Sequence, residues 1–167
     1  MIPDINHPLG KIILSPIHNF VESLIDNVFR DKVSSPAIGS MVYCDLITAE
    51  HSGIYIGKGK IVHLDGDGLI EAVSPHFFLE RLDGLNTAIS IYVSCNGTKA
   101  IGNTKAAERA QSMIGTRRDY HVLFGNCHQF TAGCMTGNFK NNVNLFSTLK
   151  PLAENNLSAD TWRVWDC

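Results

Sequence analysis

One cysteine has a sequence setting that suits nucleophilic catalysis. Cys127 directly follows Asn126, and asparagine is a preferred residue at the N-cap of a helix. The sequence therefore predicts Cys127 in the first turn of a helix, where unpaired amides and the helix dipole stabilise a thiolate. Thiols in such settings can have pKa values well below the usual value of about 8.5. Cys127 is the candidate nucleophile.

Two histidines in residues 51–63, a segment with the pattern of a β-hairpin, are the candidate partners of this thiol. A three-residue loop at Gly57-Lys58-Gly59 would set Gly53 opposite His63 and put His51 diagonally across on the same face. A two-residue loop would instead pair Ile54 with His63 and separate the histidines. Glycine at both loop ends favours the three-residue loop. Diagonal neighbours have Cα atoms roughly 7–8 Å apart, so we expect the two rings to meet.

These three residues together suggest a division of labour. His51 would accept the thiol proton and later return one to the leaving group, while His63 would hold the His51 tautomer. The amide of Cys127 would contribute to an oxyanion hole. A lone Cys or His is usually a packing or surface residue, so the prediction depends on the combination. His128 should point about 100° away from Cys127 around the helix, in a supporting or surface position.

Composition restricts the classes of protein and partner. With 167 residues and 44% hydrophobic residues, the chain is long enough for one compact domain with extensions. A net charge of -2 provides no basic field for nucleic acid, and no apolar run approaches the roughly 20 residues of a membrane span. The N-terminus lacks a signal-peptide pattern, so we expect a cytoplasmic protein. The five cysteines form no CxxC pair, which argues for reduced thiols rather than disulfides or a zinc site.

The pattern of apolar and polar residues predicts an α+β fold, with an antiparallel β-meander packed against helices. The predicted helices cover residues 18–31, 103–115 and 126–137, and the predicted strands cover residues 40–46, 53–56, 60–64 and 88–93. We expect three parts: an N-terminal amphipathic helical extension at 1–35, a catalytic domain at 36–137, and a C-terminal extension at 138–167 docked on that domain.

Several motifs together resemble the lecithin retinol acyltransferase family, which includes the HRAS-like suppressor phospholipases and acyltransferases. They are residues 39–42, 51–59 and 61–64, and Asn126-Cys127 followed by Phe130. The resemblance covers roughly residues 39–137 and implies a circularly permuted papain-like (NlpC-type) fold. It also implies a site in which Cys127 is the nucleophile, His51 the base and His63 the third member, without metal or cofactor. The family commonly has Trp after the first His and Glu-His after the Cys, where this chain has Ser52 and His128-Gln129.

The function implied by the resemblance is that of an acyltransferase or acyl hydrolase, of the phospholipase A type, that forms a thioester on Cys127. Its substrate would be a lipid or small-molecule acyl compound, with no nucleic acid partner and no transmembrane segment. Peripheral membrane contact and the oligomeric state are left open. Two alternatives are a cysteine amidase or peptidase of the NlpC type, which would use the same thiol, and a binding module that keeps the motifs without turnover.

Overall fold

A computed structural model of the chain describes residues 32–45, 50–81, 86–87, 90–118 and 126–167. Over these residues the chain combines a mostly antiparallel sheet with several helices, which confirms the predicted α+β class. The helix predicted over residues 18–31 lies outside the described residues.

Most of the strands belong to one sheet. The strands are β1 Lys32–Val33, β2 Met41–Asp45, β3 Glu50–Gly57, β4 Lys60–Leu64, β5 Ile70–Val73, β6 Glu80–Arg81, β7 Asn86–Thr87, β8 Ile91–Asn96, β9 Lys99–Ala100 and β10 Thr161–Trp165. Eight of them form a sheet in the order β1-β10-β8-β2-β3-β4-β5 with β9 paired to β8, while β6 and β7 pair separately. The pairing of β1 with β10 is parallel, and the other pairings in the sheet are antiparallel.

The helices pack on this sheet. They are α1 Pro75–Leu79, α2 Thr104–Ser112, α3 Asn126–Thr136 and α4 Phe146–Leu157. Helix α2 begins after Asn103, whose side chain accepts a hydrogen bond from the Lys105 amide, as a helix N-cap does. Helix α3 packs mainly against β3, α4 and α2 and also contacts β4. The helices predicted over residues 103–115 and 126–137 are thus confirmed to within a few residues.

The predicted meander is correct for β2 to β4, and β5, which was not predicted, continues it in chain order. The later strand β8 does not extend the meander beyond β4, because β5 occupies that edge and β8 pairs with β2 through Val42 and Val93. The C-terminal residues 161–165 form a strand inside the sheet, between β1 and β8. Its two tryptophans, Trp162 and Trp165, are buried on opposite faces.

The two faces of the sheet have separate cores. Ile54, Val62 and Leu64 point to the face that α2, α3 and α4 cover. Tyr55 and Ile61 point to the other face, which packs against Phe78 of α1. The strand alternation along the hairpin therefore sends odd-numbered side chains to one core and even-numbered side chains to the other.

The β3–β4 hairpin closes through two residues, so the predicted three-residue loop is wrong. Gly57 pairs with Lys60, and both loop residues have positive φ, Lys58 at 52° and Gly59 at 65°. These angles are those of a type I′ turn, whose twist matches that of the strands. The register shifts by one residue at Ile56, so that Ile54 still faces Val62. The bulge thereby restores the alignment that the longer loop would have produced.

Candidate active site

The two histidines of the hairpin are in direct contact. His51 Nε2 lies 3.0 Å from His63 Nδ1, and both side chains are buried. Phe78 of α1 packs against both rings, with centroid distances of 4.9 Å to His51 and 5.8 Å to His63. A Cβ atom at Gly53 would lie 2.8 Å from Ile61 Cγ2, so the strand needs glycine there. The prediction that the two histidines share one face is confirmed.

Glu71 of β5 extends this contact, and the sequence analysis missed it. It stands opposite His63 in the β4–β5 pairing, and its Oε1 lies 3.4 Å from His63 Nε2. A carboxylate can only accept, so a neutral His63 ring that contacts Glu71 carries its hydrogen on Nε2 and accepts at Nδ1. His51 must then donate from Nε2, which leaves the basic lone pair of its ring on Nδ1. A prediction of β5 as a strand paired with β4 would have placed the Glu71 carboxylate near His63. Strand β5, however, has only four residues.

We expect Glu71→Leu to lower turnover of an acyl ester about tenfold, the loss that corresponds to one orienting hydrogen bond. Without the carboxylate, His63 is no longer held as the Nε2–H tautomer. Nitrogen-15 chemical shifts of the His63 ring should then report a mixture of tautomers. Glu71→Gln is the matched control, since its side-chain oxygen can still accept from Nε2. Identical His63 shifts in the wild type and the Leu variant would contradict this assignment.

Cys127 lies in the first turn of α3, as predicted. The Cys127 sulfur lies 3.8 Å from His128 Nδ1, and the amide and hydroxyl of Ser52 and the amides of Cys127 and His128 favour its thiolate. Burial nevertheless raises the pKa of the Cys127 thiol above its usual value, because desolvation outweighs the effect of these polar groups. The expected lowering of this pKa is therefore wrong. With a raised pKa, the thiol is protonated at neutral pH unless a base removes its proton.

The structure brings Cys127 against the residue that follows His51. The side chains of His51 and Ser52 leave β3 on opposite faces, and the amide of Ser52, which belongs to the peptide that joins the two residues, is one of the groups that favour the Cys127 thiolate. Helix α3 thus approaches the strand from the face of Ser52, while the His51 ring packs with His63 and Phe78 on the other face.

His128 is a buried member of this site rather than a surface residue. Its Nδ1 lies 2.8 Å from Ser52 Oγ and 3.8 Å from Cys127 Sγ, and Ser52 Oγ lies 3.1 Å from Thr131 Oγ1. Burial lowers the pKa of His128 to about 4, so its ring is neutral at neutral pH. Of the two positions expected for His128, supporting or surface, the structure shows the supporting one.

Of the other cysteines, Cys44 borders this group, because it pairs with His51 across β2 and β3 and its sulfur lies 3.8 Å from the carbonyl oxygen of Phe78. Cys44, Cys95 and Cys134 are buried, and Cys167 is exposed. Burial raises the pKa of Cys134 to about 12. Because Cys134 lies in the same helix as Cys127, it provides an internal reference for thiol reactivity.

Two observations on the described residues concern metals and membranes. Within these residues no group of three or more His, Cys, Asp or Glu side chains is arranged to hold a metal ion. None of the helices found there has the length and apolar character to cross a membrane.

Among known proteins, the chain is similar to segments of viral polyproteins. It is 26% identical over 103 residues to the genome polyprotein of avian encephalomyelitis virus strain L2Z, and 28% identical over 103 residues to that of strain Van Reokel. Each match covers 61% of this chain and 5% of the polyprotein. The model of the lecithin retinol acyltransferase family matches residues 34–140, a range that includes His51, His63 and Cys127. The chain belongs to the lecithin retinol acyltransferase family.

Proposed function

We propose that this protein is a cysteine-dependent acyltransferase or acyl hydrolase that acts on a lipid ester through a thioester on Cys127. The observation that carries the proposal is the buried chain of contacts from His51 through His63 to Glu71, on the strand whose next residue, Ser52, shares its neighbour His128 with the Cys127 sulfur. This chain supports His51 as the base and Cys127 as the nucleophile. The family of the chain, which is named for acyl transfer, supports the type of reaction.

In the first half of the reaction His51 takes the proton of the Cys127 thiol. The sulfur then attacks the ester carbonyl carbon, and the amides at the start of α3 stabilise the oxyanion. The C–O bond of the ester breaks as the imidazolium of His51 returns its proton to the leaving alkoxide. His63 and Glu71 hold the His51 ring in the tautomer that this transfer requires.

In the second half the thioester is discharged. His51 removes a proton from water or from the hydroxyl of an acceptor, and the resulting oxygen nucleophile attacks the thioester carbonyl. The C–S bond breaks, and the sulfur leaves as a thiolate that recovers the proton from His51. Water as the nucleophile gives hydrolysis, and an alcohol gives acyl transfer.

The order of these residues along the chain supports a circularly permuted papain-like fold. In papain-like enzymes the cysteine on its helix precedes the histidine in sequence. Here the strands with His51 and His63 come before the helix with Cys127. A helix that carries the cysteine still packs against the strands that carry the histidines. We therefore propose a permuted connection between the two halves of such a site.

The test identifies the acyl group that becomes attached to the protein when it is incubated with a substrate. Wild-type protein is incubated either with vesicles of a diacyl phosphatidylcholine or with a panel of dipeptides, then quenched in acid to preserve thioesters. Intact-mass and peptide mass spectrometry should find a fatty-acyl group on Cys127 and none on Cys134. A peptidyl group on Cys127 would replace the proposal with an amidase or peptidase. A Cys127 that iodoacetamide alkylates but no substrate acylates would indicate a binding module.

A further inference from the structure

The hydroxyl of Ser52 is the centre of a buried cluster of polar side chains, on the face of β3 that α3 covers. Its side chain is fully buried, at 0% exposure, and lies between Thr131 and His128 of α3. The Cys127 sulfur lies on the same His128 nitrogen, 3.8 Å from Nδ1, and the Ser52 hydroxyl is one of the groups that lower the pKa of the thiol. Ser52 and His128 also occupy two positions at which this chain differs from the common family pattern, and here they contact each other.

The hydrogen-bonding capacity of a hydroxyl limits how this group can be arranged. Ser52 has one hydrogen to donate and two lone pairs with which to accept. A thiolate cannot donate, so a hydrogen bond between Ser52 and an ionised Cys127 must use the hydrogen of Ser52. Both lone pairs then require donors, and the two remaining neighbours are His128 Nδ1 at 2.8 Å and Thr131 Oγ1 at 3.1 Å.

We propose that Ser52 stabilises the Cys127 thiolate by donating its hydroxyl hydrogen to the sulfur, and that His128 and Thr131 act as positioning residues that hold Ser52 in this orientation. His128 carries its hydrogen on Nδ1 and donates to Ser52 Oγ, and Thr131 donates to the same oxygen. No proton is transferred within this group. His51 still removes the thiol proton, and Ser52 stabilises the charge that remains on the sulfur.

In this arrangement the stability of the Cys127 thiolate depends on which side chain stands at position 128. With its hydrogen on Nδ1, the neutral His128 ring donates to Ser52, and the same N–H lies 3.8 Å from the sulfur. A side chain with a donor at the position of Nδ1 should replace it, and an apolar side chain should not. Asparagine provides such a donor, because its amide nitrogen occupies nearly the same place relative to the backbone. The inference rests on the proposed function for its importance, but its test requires no acyl substrate.

The experiment measures the pH dependence of Cys127 alkylation by iodoacetamide, by peptide mass spectrometry on the folded protein. We expect Ser52→Ala to move the midpoint of this profile upward by about one pH unit or more, as for a lost hydrogen bond to a charged group. The rate at neutral pH should fall about tenfold or more. His128→Leu should move the midpoint in the same direction, and His128→Asn should restore most of the wild-type profile. Cys134 and Cys167 serve as reference thiols in the same samples.

Two outcomes would overturn the inference. One is a wild-type midpoint in Ser52→Ala; the other is an equal upward shift in the Leu and Asn variants of His128, which would indicate packing alone. Circular dichroism and thermal unfolding verify that each variant is folded. If Ser52→Ala does not fold, Thr131→Val is the substitute, because it removes one donor to Ser52 without changing side-chain shape; its midpoint should also rise, and no rise would overturn the inference. If Ser52→Ala shifts the midpoint while no acyl adduct forms on wild-type Cys127, this inference is supported and the acyltransferase proposal fails.

Discussion

Cys127→Ala is expected to lower turnover of an acyl ester at least about 10³-fold and to abolish the acyl adduct. The reason is that the proposed thioester requires a sulfur at this position, in the first turn of α3, and the cysteines of the fold interior, Cys44, Cys95 and Cys134, are buried. Release of fatty acid from phosphatidylcholine vesicles measures turnover, and intact-mass spectrometry measures the adduct. Substrate binding should be retained, because the variant removes only the sulfur.

Cys134→Ala is the matched control for this loss. It removes the same atom two turns later in the same helix, from a side chain that is fully buried at 0% exposure. We expect it to cost about 1–2 kcal/mol in the free energy of unfolding while leaving turnover unchanged. Cys127→Ala, at a partly exposed position, should change the free energy of unfolding by about 1 kcal/mol or less. Comparable turnover in Cys127→Ala and in the wild type would contradict nucleophilic catalysis by this thiol.

The hairpin shows which features local sequence determines well. The prediction that His51 and His63 share a face depended on a three-residue loop, and the shared face is correct because the structure restores the same alignment, with Ile54 opposite Val62. The loop length was predicted incorrectly, because a bulge at Ile56 offsets a two-residue turn at Lys58 and Gly59. A burial pattern constrains the faces of strands more strongly than it constrains the turn between them.

Long-range features were less accessible from the sequence. Strand β5 has only four residues, and its pairing with β4, which brings Glu71 to His63, depends on the register of the whole edge. The contact between Ser52 and His128 joins residues 76 positions apart, and it depends on how α3 packs on β3. Packing also explains the wrong expectation for the Cys127 pKa. A helix start favours a thiolate, but the sequence does not show how deeply that helix start will be buried.

The second large effect is expected at His51. His51→Gln keeps a side-chain N–H at the position of Nε2, so the hydrogen bond to His63 Nδ1 can persist. It removes the basic nitrogen that accepts the thiol proton. Turnover should fall about 10²–10⁴-fold, the range for loss of a general base. His63→Asn should cost only about tenfold, since its oxygen can still accept from His51 Nε2.

The pH dependence of thiol alkylation separates loss of the base from a general disturbance of the site. Burial raises the pKa of the Cys127 thiol, so without His51 the thiolate forms only when the pH approaches that raised value. The alkylation rate of His51→Gln should therefore be far below that of the wild type at neutral pH and should approach it as the pH rises. If the two rates differed by the same factor at every pH, His51 would influence access to the sulfur rather than its ionisation. A convergence at high pH, with Cys134 unreactive throughout, would identify His51 as the group that takes the proton from Cys127.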